Sequence, residues 1–308
     1  MPEKIAKPWF LYLIECIDGS IYTGITTDVK ARYAAHCAGK GARYTRARPP
    51  VELLAWQMQP DRAAAARAEY RVKQLSPQQK RQLARNLAMQ IQLSPAVQLL
   101  HATRHAVLST HSTQLPGFPF GTAVPLVLDE RQQPLLLISA LAEHTKNLLA
   151  DSRASLAVVE GGKDNVQDAA RITLVGRCEP CEASPALVER YFRYLPEAAQ
   201  YLQLDFMFFR LVPERARFIG GIGRMGWIDG ADWQALPAIT LEEEKSLLDE
   251  FTPQLAPPDR LLGIDAFGVD IEHAGLRQRR PFAQAGNPEE IRHALRAMDF
   301  APATESGG

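Results

Sequence analysis

An apolar and aromatic run that is interrupted once predicts a β-hairpin at residues 9–24. Aromatic and branched residues on both arms favour strands, and Asp18-Gly19 between them supplies the positive-φ positions that a tight turn demands. Tyr12 lies on the first arm and Tyr22 on the second. The hairpin therefore brings these two tyrosines close together.

Two helices are predicted after this hairpin. The first covers residues 29–37, because Thr27-Asp28 forms an N-cap pair and glycines follow at 39 and 41. The second opens at Asp61, runs to residue 75 and carries Glu69. Arg32 and His36 lie four residues apart on the first helix, so they share one face.

Two motifs in this segment carry a family resemblance. Phe-Leu-Tyr at 10–12 is followed by Tyr-Thr-Gly at 22–24 and then by the arginine, histidine and glutamate just described. This order resembles the GIY-YIG nuclease superfamily over about residues 8–86, and residues 22–28 with 39–42 are similar to its small bacterial single-domain branch. The first motif departs from Gly-Ile-Tyr but keeps the tyrosine.

The resemblance implies a catalytic set for hydrolysis of a phosphodiester. Its members are Tyr12, Tyr22, Arg32, His36 and Glu69. Glu69 is expected to anchor a divalent ion, Mg²⁺ or Mn²⁺, because such ions prefer carboxylate and water ligands. Arg32 is expected to contact the scissile phosphate. The two tyrosines and His36 arrange and deprotonate the water, and any of the three can be the general base.

Charge is distributed unevenly along a chain that is neutral overall, with 35 basic and 35 acidic residues among 308. Residues 1–86 hold 15 Lys and Arg against 7 Asp and Glu, a net charge of +8 that the remainder balances. Such a local excess is typical of a domain that binds phosphate. The basic segment 40–50 is predicted to contact DNA, the expected partner, through Lys40, Arg43, Tyr44, Arg46 and Arg48.

A third strand is predicted at 51–56 and a helix from Ser76-Pro77 through 86. Residues 87–95 carry no charge, so a domain boundary is placed near 92, followed by a helix at 93–108. From residue 106 onward, short apolar runs separated by Gly and Pro predict a closed or nearly closed antiparallel sheet. Its last strands are expected at 206–212 and 216–221.

The middle block resembles the pyridoxamine-phosphate-oxidase-like split barrels, and among them the haem-utilisation branch. The motifs that carry this resemblance lie at 116–122, 141–148, 151–156 and 218–224, within about residues 95–235. Flavin-using members hold the FMN phosphate with Arg and Lys of the second strand, yet the corresponding strand 121–128 has no basic residue. FMN, haem and an empty barrel therefore all remain open. The resemblance also implies a homodimer.

Six residues are candidates for holding such a cofactor, and they are His144, Thr145, Lys146, Arg171, Arg177 and His273. The first three join an apolar strand to a helix start, where backbone N–H groups favour an anion. His273 belongs to a tail of helices and strands that resembles the small α+β module after the haem-utilisation barrel. In haem-binding relatives a histidine of this module can ligate iron.

Two further pairs of residues are candidates for a metal or redox site. Cys178-Glu-Pro-Cys181 is a lone pair without further ligands at zinc spacing, so two ordinary thiols are the preferred interpretation. His101 and His105 lie four residues apart on the helix predicted at 93–108, but a third ligand is missing. The four cysteines form no disulfide framework, no run reaches the ~20 apolar residues that span a bilayer, and no apolar signal region begins the chain. A cytoplasmic protein without membrane contact is expected.

The predicted fold class is an α+β multidomain chain. It comprises a small GIY-YIG α/β domain at 1–92, a split barrel at 93–235 and an α+β module at 236–308, with a disordered end at 301–308. The predicted function is a metal-dependent DNA endonuclease fused to a flavin- or haem-binding barrel. The alternative is a redox or haem-handling protein whose first domain only binds nucleic acid. Glu69 favours catalysis, because a pure binder gains nothing from a carboxylate in a basic cleft.

Overall fold

The computed structural model describes residues 9–220, 225–298 and 300. The chain divides into two compact units, Met1–Ile91 and Gln92–Gly308. The end of the 218–224 motif and the predicted disordered end at 301–308 lie outside the described residues.

The first unit contains a three-stranded antiparallel sheet in the order β2-β1-β3. Its strands are β1 (Trp9–Cys16), β2 (Ile21–Thr26) and β3 (Pro50–Gln59). Gly19 adopts φ +74° in the turn between β1 and β2, as the Asp-Gly pair predicts. Leu11 and Leu13 are buried in the core of the first unit.

Three of the four helices that begin in the first unit start where the sequence places their caps, at Asp28, Asp61 and Ser76. The four helices are α1 (Val29–Cys37), α2 (Arg43–Ala47), α3 (Arg62–Lys73) and the start of α4 (Pro77–Ala102). The carboxylates of Asp28 and Asp61 accept hydrogen bonds from the backbone N–H groups of Ala31 and Ala64, at 2.9 and 2.7 Å. The sequence predicted only a basic loop where α2 lies, yet residues 43–47 contain no Gly or Pro to prevent a helical turn.

Helix α4 corrects two sequence predictions. A helix ending at 86 and a second one at 93–108 were expected, but one helix runs through Pro95 and ends at Ala102. The uncharged residues between the two predicted helices are Leu, Ala, Met, Gln and Ile, which favour helix despite the change in composition.

The second unit is built on a curled eight-stranded antiparallel sheet in the order β5-β4-β8-β9-β10-β7-β6, with β11 beside β10. Its strands are β4 (His105–His111), β5 (Pro119–Pro125), β6 (Val127–Leu128), β7 (Pro134–Ser139), β8 (Arg153–Val159), β9 (Arg171–Pro180), β10 (Phe206–Ile219) and β11 (Met225–Asp229). Two strands were expected at 206–212 and 216–221, but the single strand β10 runs without a break from Phe206 to Ile219. A register shift between Pro213 and Arg215 accommodates the proline, which cannot donate to a ladder.

Three helices accompany this sheet, and a smaller sheet with two helices follows. The first three are α5 (Glu143–Ala150), α6 (Pro185–Tyr194) and α7 (Gly230–Gln234). The remaining elements are α8 (Leu241–Phe251), β12 (Arg260–Asp265), β13 (Gly268–His273), β14 (Leu276–Pro281) and α9 (Pro288–Arg296). Strand β14 was missed because its sequence is mostly polar and charged.

The predicted α+β multidomain fold class is confirmed. No helix within the described residues is both long and apolar enough to cross a lipid bilayer.

Candidate functional site

The first feature of the candidate site is the close approach of Tyr12 to the backbone of β2. Tyr12 of β1 pairs directly with Gly24 of β2. A Cβ atom on Gly24 would lie 2.5 Å from the Tyr12 hydroxyl oxygen, so a side chain at this position would displace the phenol. The glycine of the Tyr-Thr-Gly motif is therefore required for the position of the tyrosine.

Tyr12 also contacts both functional residues of α1. Its hydroxyl oxygen lies 2.9 Å from Nε2 of His36 and accepts a hydrogen bond from Nε of Arg32 at 3.3 Å. Tyr12 and His36 are each only 1% exposed. The four-residue spacing that placed Arg32 and His36 on one face thus brings both of them to a single phenol.

Burial sets the protonation of this pair. It raises the pKa of Tyr12 to about 12, although the hydrogen bond from Arg32 acts in the opposite direction. Burial lowers the pKa of His36, and the positive charge of Arg32 lowers it further. At neutral pH a protonated phenol therefore faces a neutral imidazole.

Tyr22 and Tyr44 extend the site as an aromatic cluster. The ring centroid of Tyr22 lies 6.2 Å from that of Tyr12 and 5.1 Å from that of His36. Tyr44 of α2 stacks on Tyr22 at 5.9 Å, and the guanidinium of Arg48 lies over the Tyr44 ring at 4.6 Å. The Tyr44 ring packs against both of these neighbours and remains 39% exposed, so stacking of Tyr44 on nucleic acid stays a prediction.

The predicted nucleic-acid-binding cations surround α2 at the surface. Lys40, Arg43, Arg46 and Arg48 are all exposed. Nε of Arg48 forms an ion pair with Asp18 of the hairpin turn at 2.6 Å. Helix α2 thus presents cations outward, while its one buried residue, Thr45, points inward.

Glu69 lies on α3, which packs against β1 and β2. Its carboxylate is 22% exposed and pairs with Lys73 one turn later at 2.7 Å. A partly exposed carboxylate next to solvent fits Mg²⁺ or Mn²⁺, since Mg²⁺ commonly takes one or two carboxylates and keeps several waters. The residue type and its exposure therefore fit the divalent ion that the family resemblance implies.

Two residues of the site were missed by the sequence predictions. Thr45 is 1% exposed, and its hydroxyl oxygen lies 2.6 Å from Nδ1 of His36. A Cβ atom on Gly41 would lie 2.2 Å from the same nitrogen, so only glycine permits this approach. The available signal was an uncharged threonine among the cations of segment 40–50, which indicates an inward-facing position.

The first three predicted cofactor residues lie at the start of α5 but differ in their environment. Thr145 is fully buried and donates its hydroxyl to the carbonyl of Ser139 at 2.6 Å. His144 is half-buried, and its Nε2 has no hydrogen-bond partner among the described residues. Burial lowers the pKa of His144, so its imidazole is neutral at pH 7. Lys146 is exposed.

The other three candidates do not join this group through any described contact. Arg171 donates to the carbonyl of Val166 at 2.9 Å. Arg177 pairs with Glu214 at 3.2 Å. Arg171 and Arg177 are six positions apart on one strand, which separates their Cα atoms by about 20 Å. Nδ1 of His273 contacts Asp259 at 2.6 Å.

The pair formed by His101 and His105 is not a metal site in this fold. His105 is exposed at the start of β4, whereas His101 is buried on α4. Among the described residues, His101, Asp265 and Asp270 are close enough to share an ion. Arg279 forms a bidentate ion pair with Asp265 at 2.7 and 2.8 Å and lies 3.4 Å from Asp270, so an arginine cation already lies beside both carboxylates.

The Cys178 and Cys181 thiols fit neither a metal site nor a redox site. Cys178 is buried and Cys181 is partly buried, and both are free. Burial raises the pKa of Cys178 to about 12 and raises that of Cys181. Since the thiolate is the reactive and metal-binding form, both residues are ordinary thiols at neutral pH.

Two family models match the chain in succession. One described as the GIY-YIG catalytic domain matches residues 8–82, and one described as the CREG β-barrel matches residues 90–235. The chain is thus a GIY-YIG domain followed by a split β-barrel, and both resemblances inferred from the sequence are confirmed. The chain is 58% identical to UPF0213 protein XAC3202 of Xanthomonas axonopodis pv. citri (strain 306) over 69 residues. These residues are 22% of this chain and 68% of that protein. Through its N-terminal domain the chain belongs to the UPF0213 family.

Solved structures are similar to the chain over a larger share of its length. Protein Atu2129 from Agrobacterium tumefaciens str. C58, described as of unknown function, matches with a TM-score of 0.54 and 23% identity, over 67% of this chain and 94% of that chain. A heme binding protein from Mycobacterium smegmatis matches with a TM-score of 0.45 and 23% identity, over 68% of this chain and 98% of that chain. The match to protein Atu2129 supports the fold alone.

Proposed function

We propose that the N-terminal domain is a metal-dependent DNA endonuclease that hydrolyses phosphodiester bonds. The observation that carries the proposal is the position of the Tyr12 hydroxyl between Nε2 of His36 and Nε of Arg32. One neighbour can take a proton from the hydroxyl, and the other can stabilise negative charge on its oxygen. A buried structural tyrosine needs only one hydrogen-bond partner for its hydroxyl, whereas Tyr12 has both a proton acceptor and a cation beside its oxygen.

The pKa directions give each residue a role in the hydrolysis. The pKa of His36 is lowered, so its imidazole is free to accept a proton at neutral pH. The Tyr12 oxygen takes a proton from the attacking water while its own proton moves to Nε2 of His36. Arg32 stabilises the phenolic oxygen during this transfer and contacts the scissile phosphate. A divalent ion held by Glu69 supplies charge stabilisation for the phosphate and the departing oxygen.

The cations around α2 are proposed to hold the DNA backbone. Four exposed basic side chains in nine consecutive positions are suited to phosphate contacts, which carry affinity without base specificity. The proposal therefore assigns DNA as the partner and assigns no sequence preference.

Incubation of the full chain with single-stranded, duplex and branched DNA tests the proposal in Mg²⁺, Mn²⁺ and EDTA. Cleavage is expected with either ion and is expected to be lost in EDTA. Glu69→Gln should abolish cleavage and leave DNA binding intact or stronger, because it removes a metal ligand and a negative charge. Glu52→Gln, which changes an exposed carboxylate of β3, is the matched control. Wild-type cleavage by Glu69→Gln would reject the metal assignment.

A second candidate function is cofactor binding by the barrel. The residues do not fit the phosphate of FMN, because the Thr145 hydroxyl is bonded to the Ser139 carbonyl and the two arginines of β9 lie apart. The unpartnered Nε2 of His144 favours haem, since a neutral imidazole nitrogen is a common iron ligand. Haemin and FMN are titrated separately into the full chain, His144→Ala and the exposed control His105→Ala. Equal haemin affinity in all three proteins would remove His144 from the site.

We also propose the domain ranges 1–92, 93–235 and 236–308, a cytoplasmic location and a homodimer formed through the barrel. Exposed apolar side chains on three barrel strands support the dimer. They are Val107 of β4, Val175 of β9 and Trp227 of β11, at 48%, 41% and 52% exposure. Sedimentation equilibrium of the full chain at micromolar concentration is expected to give twice the chain mass, and a monomer would reject the dimer.

A further inference from the structure

Thr45 is the one buried residue of the short helix α2, whose other residues are exposed. Its hydroxyl oxygen lies 2.6 Å from Nδ1 of His36 and donates to the backbone carbonyl of Ala42 at 3.1 Å. The Ala42 carbonyl also accepts from the backbone N–H of Arg46 at 3.1 Å. When the hydroxyl proton is directed at the Ala42 carbonyl, the Thr45 oxygen can only accept at its contact with His36.

This arrangement links the Thr45 hydroxyl to the tautomer of the imidazole. In a neutral imidazole one nitrogen bears the proton and the other is an acceptor. When Nδ1 donates to Thr45, Nε2 carries the lone pair. Nε2 is the nitrogen 2.9 Å from the Tyr12 hydroxyl, and in this tautomer the phenol donates its proton to His36. The titratable or charged groups that face the ring are Arg32, Tyr12 and Tyr22, and none of them lies within hydrogen-bond distance of Nδ1 among the described contacts.

We propose that Thr45 is a positioning residue that holds His36 in the Nδ1–H tautomer and so makes Nε2 the acceptor for the Tyr12 proton. This inference rests on the proposed function, in which His36 receives that proton. Without the Thr45 oxygen, a proton on Nδ1 would be buried with no acceptor, which disfavours the Nδ1–H tautomer. The proton then moves to Nε2, and His36 can no longer accept from Tyr12.

Gly41 explains why this contact can be as short as it is. Its backbone passes so close to His36 that a Cβ atom would lie 2.2 Å from Nδ1 and 2.9 Å from the His36 Cα atom. The segment between α1 and α2 therefore closes directly over the imidazole. Thr45 and Gly41 therefore both lie against Nδ1 of His36, and helix α2 holds Thr45 in this position.

Two variants of the full chain separate the hydroxyl from the shape of the side chain. Thr45→Val keeps the branched shape and removes the hydroxyl, whereas Thr45→Ser keeps the hydroxyl. In Thr45→Val, kcat for DNA cleavage is expected to fall by roughly 10- to 100-fold, which is less than the roughly 10²- to 10⁴-fold contribution of a general base because Thr45 acts only through His36. KM for DNA should stay unchanged, because Thr45 contacts no substrate. Thr45→Ser should retain most of the wild-type kcat.

The tautomer is measured independently of cleavage by NMR of the ¹⁵N-labelled histidine rings, with the His36 signals assigned by their loss in His36→Gln. Wild type and Thr45→Ser are expected to carry the proton on Nδ1, and Thr45→Val on Nε2. A wild-type proton on Nε2 would overturn the inference, as would a Thr45→Val protein that keeps Nδ1–H. If Thr45→Val does not fold, the wild-type tautomer and Thr45→Ser still decide the question. An Nδ1–H tautomer without any cleavage would count against the nuclease proposal alone.

Discussion

Gly41 lies against the imidazole of His36 so closely that the smallest possible side chain would occupy the same space. Its added Cβ atom would lie 2.2 Å from Nδ1 and 2.7 Å from Cγ of the ring. His36 also contacts Tyr12 through Nε2 and Thr45 through Nδ1, so a shift of the ring would disturb both contacts. The glycine is therefore a structural requirement for this position of His36 in the proposed catalytic set.

Gly41→Ala is expected to reduce DNA cleavage strongly and to destabilise the first unit by about 1–3 kcal/mol, the usual cost of overpacking. Cleavage rates and urea unfolding of the full chain measure the two effects. Gly161→Ala is the matched control, because no atom lies within 4 Å of its added Cβ. Wild-type cleavage by Gly41→Ala would show that His36 need not hold this position.

Arg32 is predicted to lower the pKa of His36 further than burial alone lowers it. Burial lowers the pKa of His36 below its ordinary value of 6.5, and the charge of Arg32 lowers it further. In Arg32→Met the pKa of His36 should rise toward 6.5, because the neighbouring positive charge is gone. NMR titration of the His36 ring measures this change without depending on activity. Arg43→Met, which removes an exposed cation of α2, should leave the pKa of His36 unchanged.

The lowered pKa of His36 also determines the pH dependence of cleavage. Protonated His36 cannot accept a proton, so kcat should fall on the acidic side through the pKa of His36, which lies below 6.5. From pH 7 to 8 kcat should not vary through this group. An acidic limb centred above pH 7 would contradict the assignment of His36 as the acceptor.

The basic side chains around α2 are expected to control DNA affinity and its dependence on salt. Arg43→Gln and Arg46→Gln should each weaken binding and reduce the slope of log K against log salt by about 0.9 if they contact duplex phosphates, or about 0.7 for single strands. Fluorescence anisotropy over a range of salt concentrations measures the slope. Arg260→Gln in the C-terminal sheet is the control. An unchanged slope in both α2 variants would place the DNA elsewhere.

Local sequence rules predicted much of the first unit because its turn, cap and spacing patterns each involve residues that are close along the chain. The Asp18-Gly19 turn, the Asp28 cap and the four-residue spacing of Arg32 and His36 each involve neighbours along the chain. Together they were sufficient to bring Tyr12 and Tyr22 to 6.2 Å. Thr45 was missed because its partner, His36, lies nine residues earlier on a different helix.

Compensation by an internal partner explains why strand β14 was missed. The strand reads as a polar segment, yet Arg279 within it is 3% exposed because it pairs with Asp265. Thr145 is a second polar residue with an internal partner, since its buried hydroxyl bonds the Ser139 carbonyl six residues earlier. In both cases the composition of the segment is the same whether the polar group faces solvent or an internal partner. Only the fold distinguishes the two.

The last prediction concerns the buried ion pairs of Arg279. Burial alone would raise the pKa values of Asp265 and Asp270, but Arg279 and His101 outweigh it and hold both below their usual range. A carboxylate whose pKa is lower in the folded state stabilises the fold above its unfolded pKa of about 4, and this stabilisation is lost as the pH falls through the folded pKa. Arg279→Met should therefore cost about 3–5 kcal/mol at pH 7, because it removes the arginine partner of two buried carboxylates.

Urea unfolding of the full chain at pH 7 and pH 3, followed by a signal from the second unit, measures this cost. The difference between wild type and Arg279→Met should be smaller at pH 3, where the unfolded carboxylates are protonated and ion pairing no longer favours the folded state as strongly. Arg296→Met is the matched control, since Arg296 is 65% exposed in its pair with Glu250. Its cost should stay below about 1 kcal/mol, as for other surface pairs. An Arg279→Met cost equally small at pH 7 would mean that the two carboxylates find other compensation, with His101 the nearest basic partner of Asp270 at 2.7 Å.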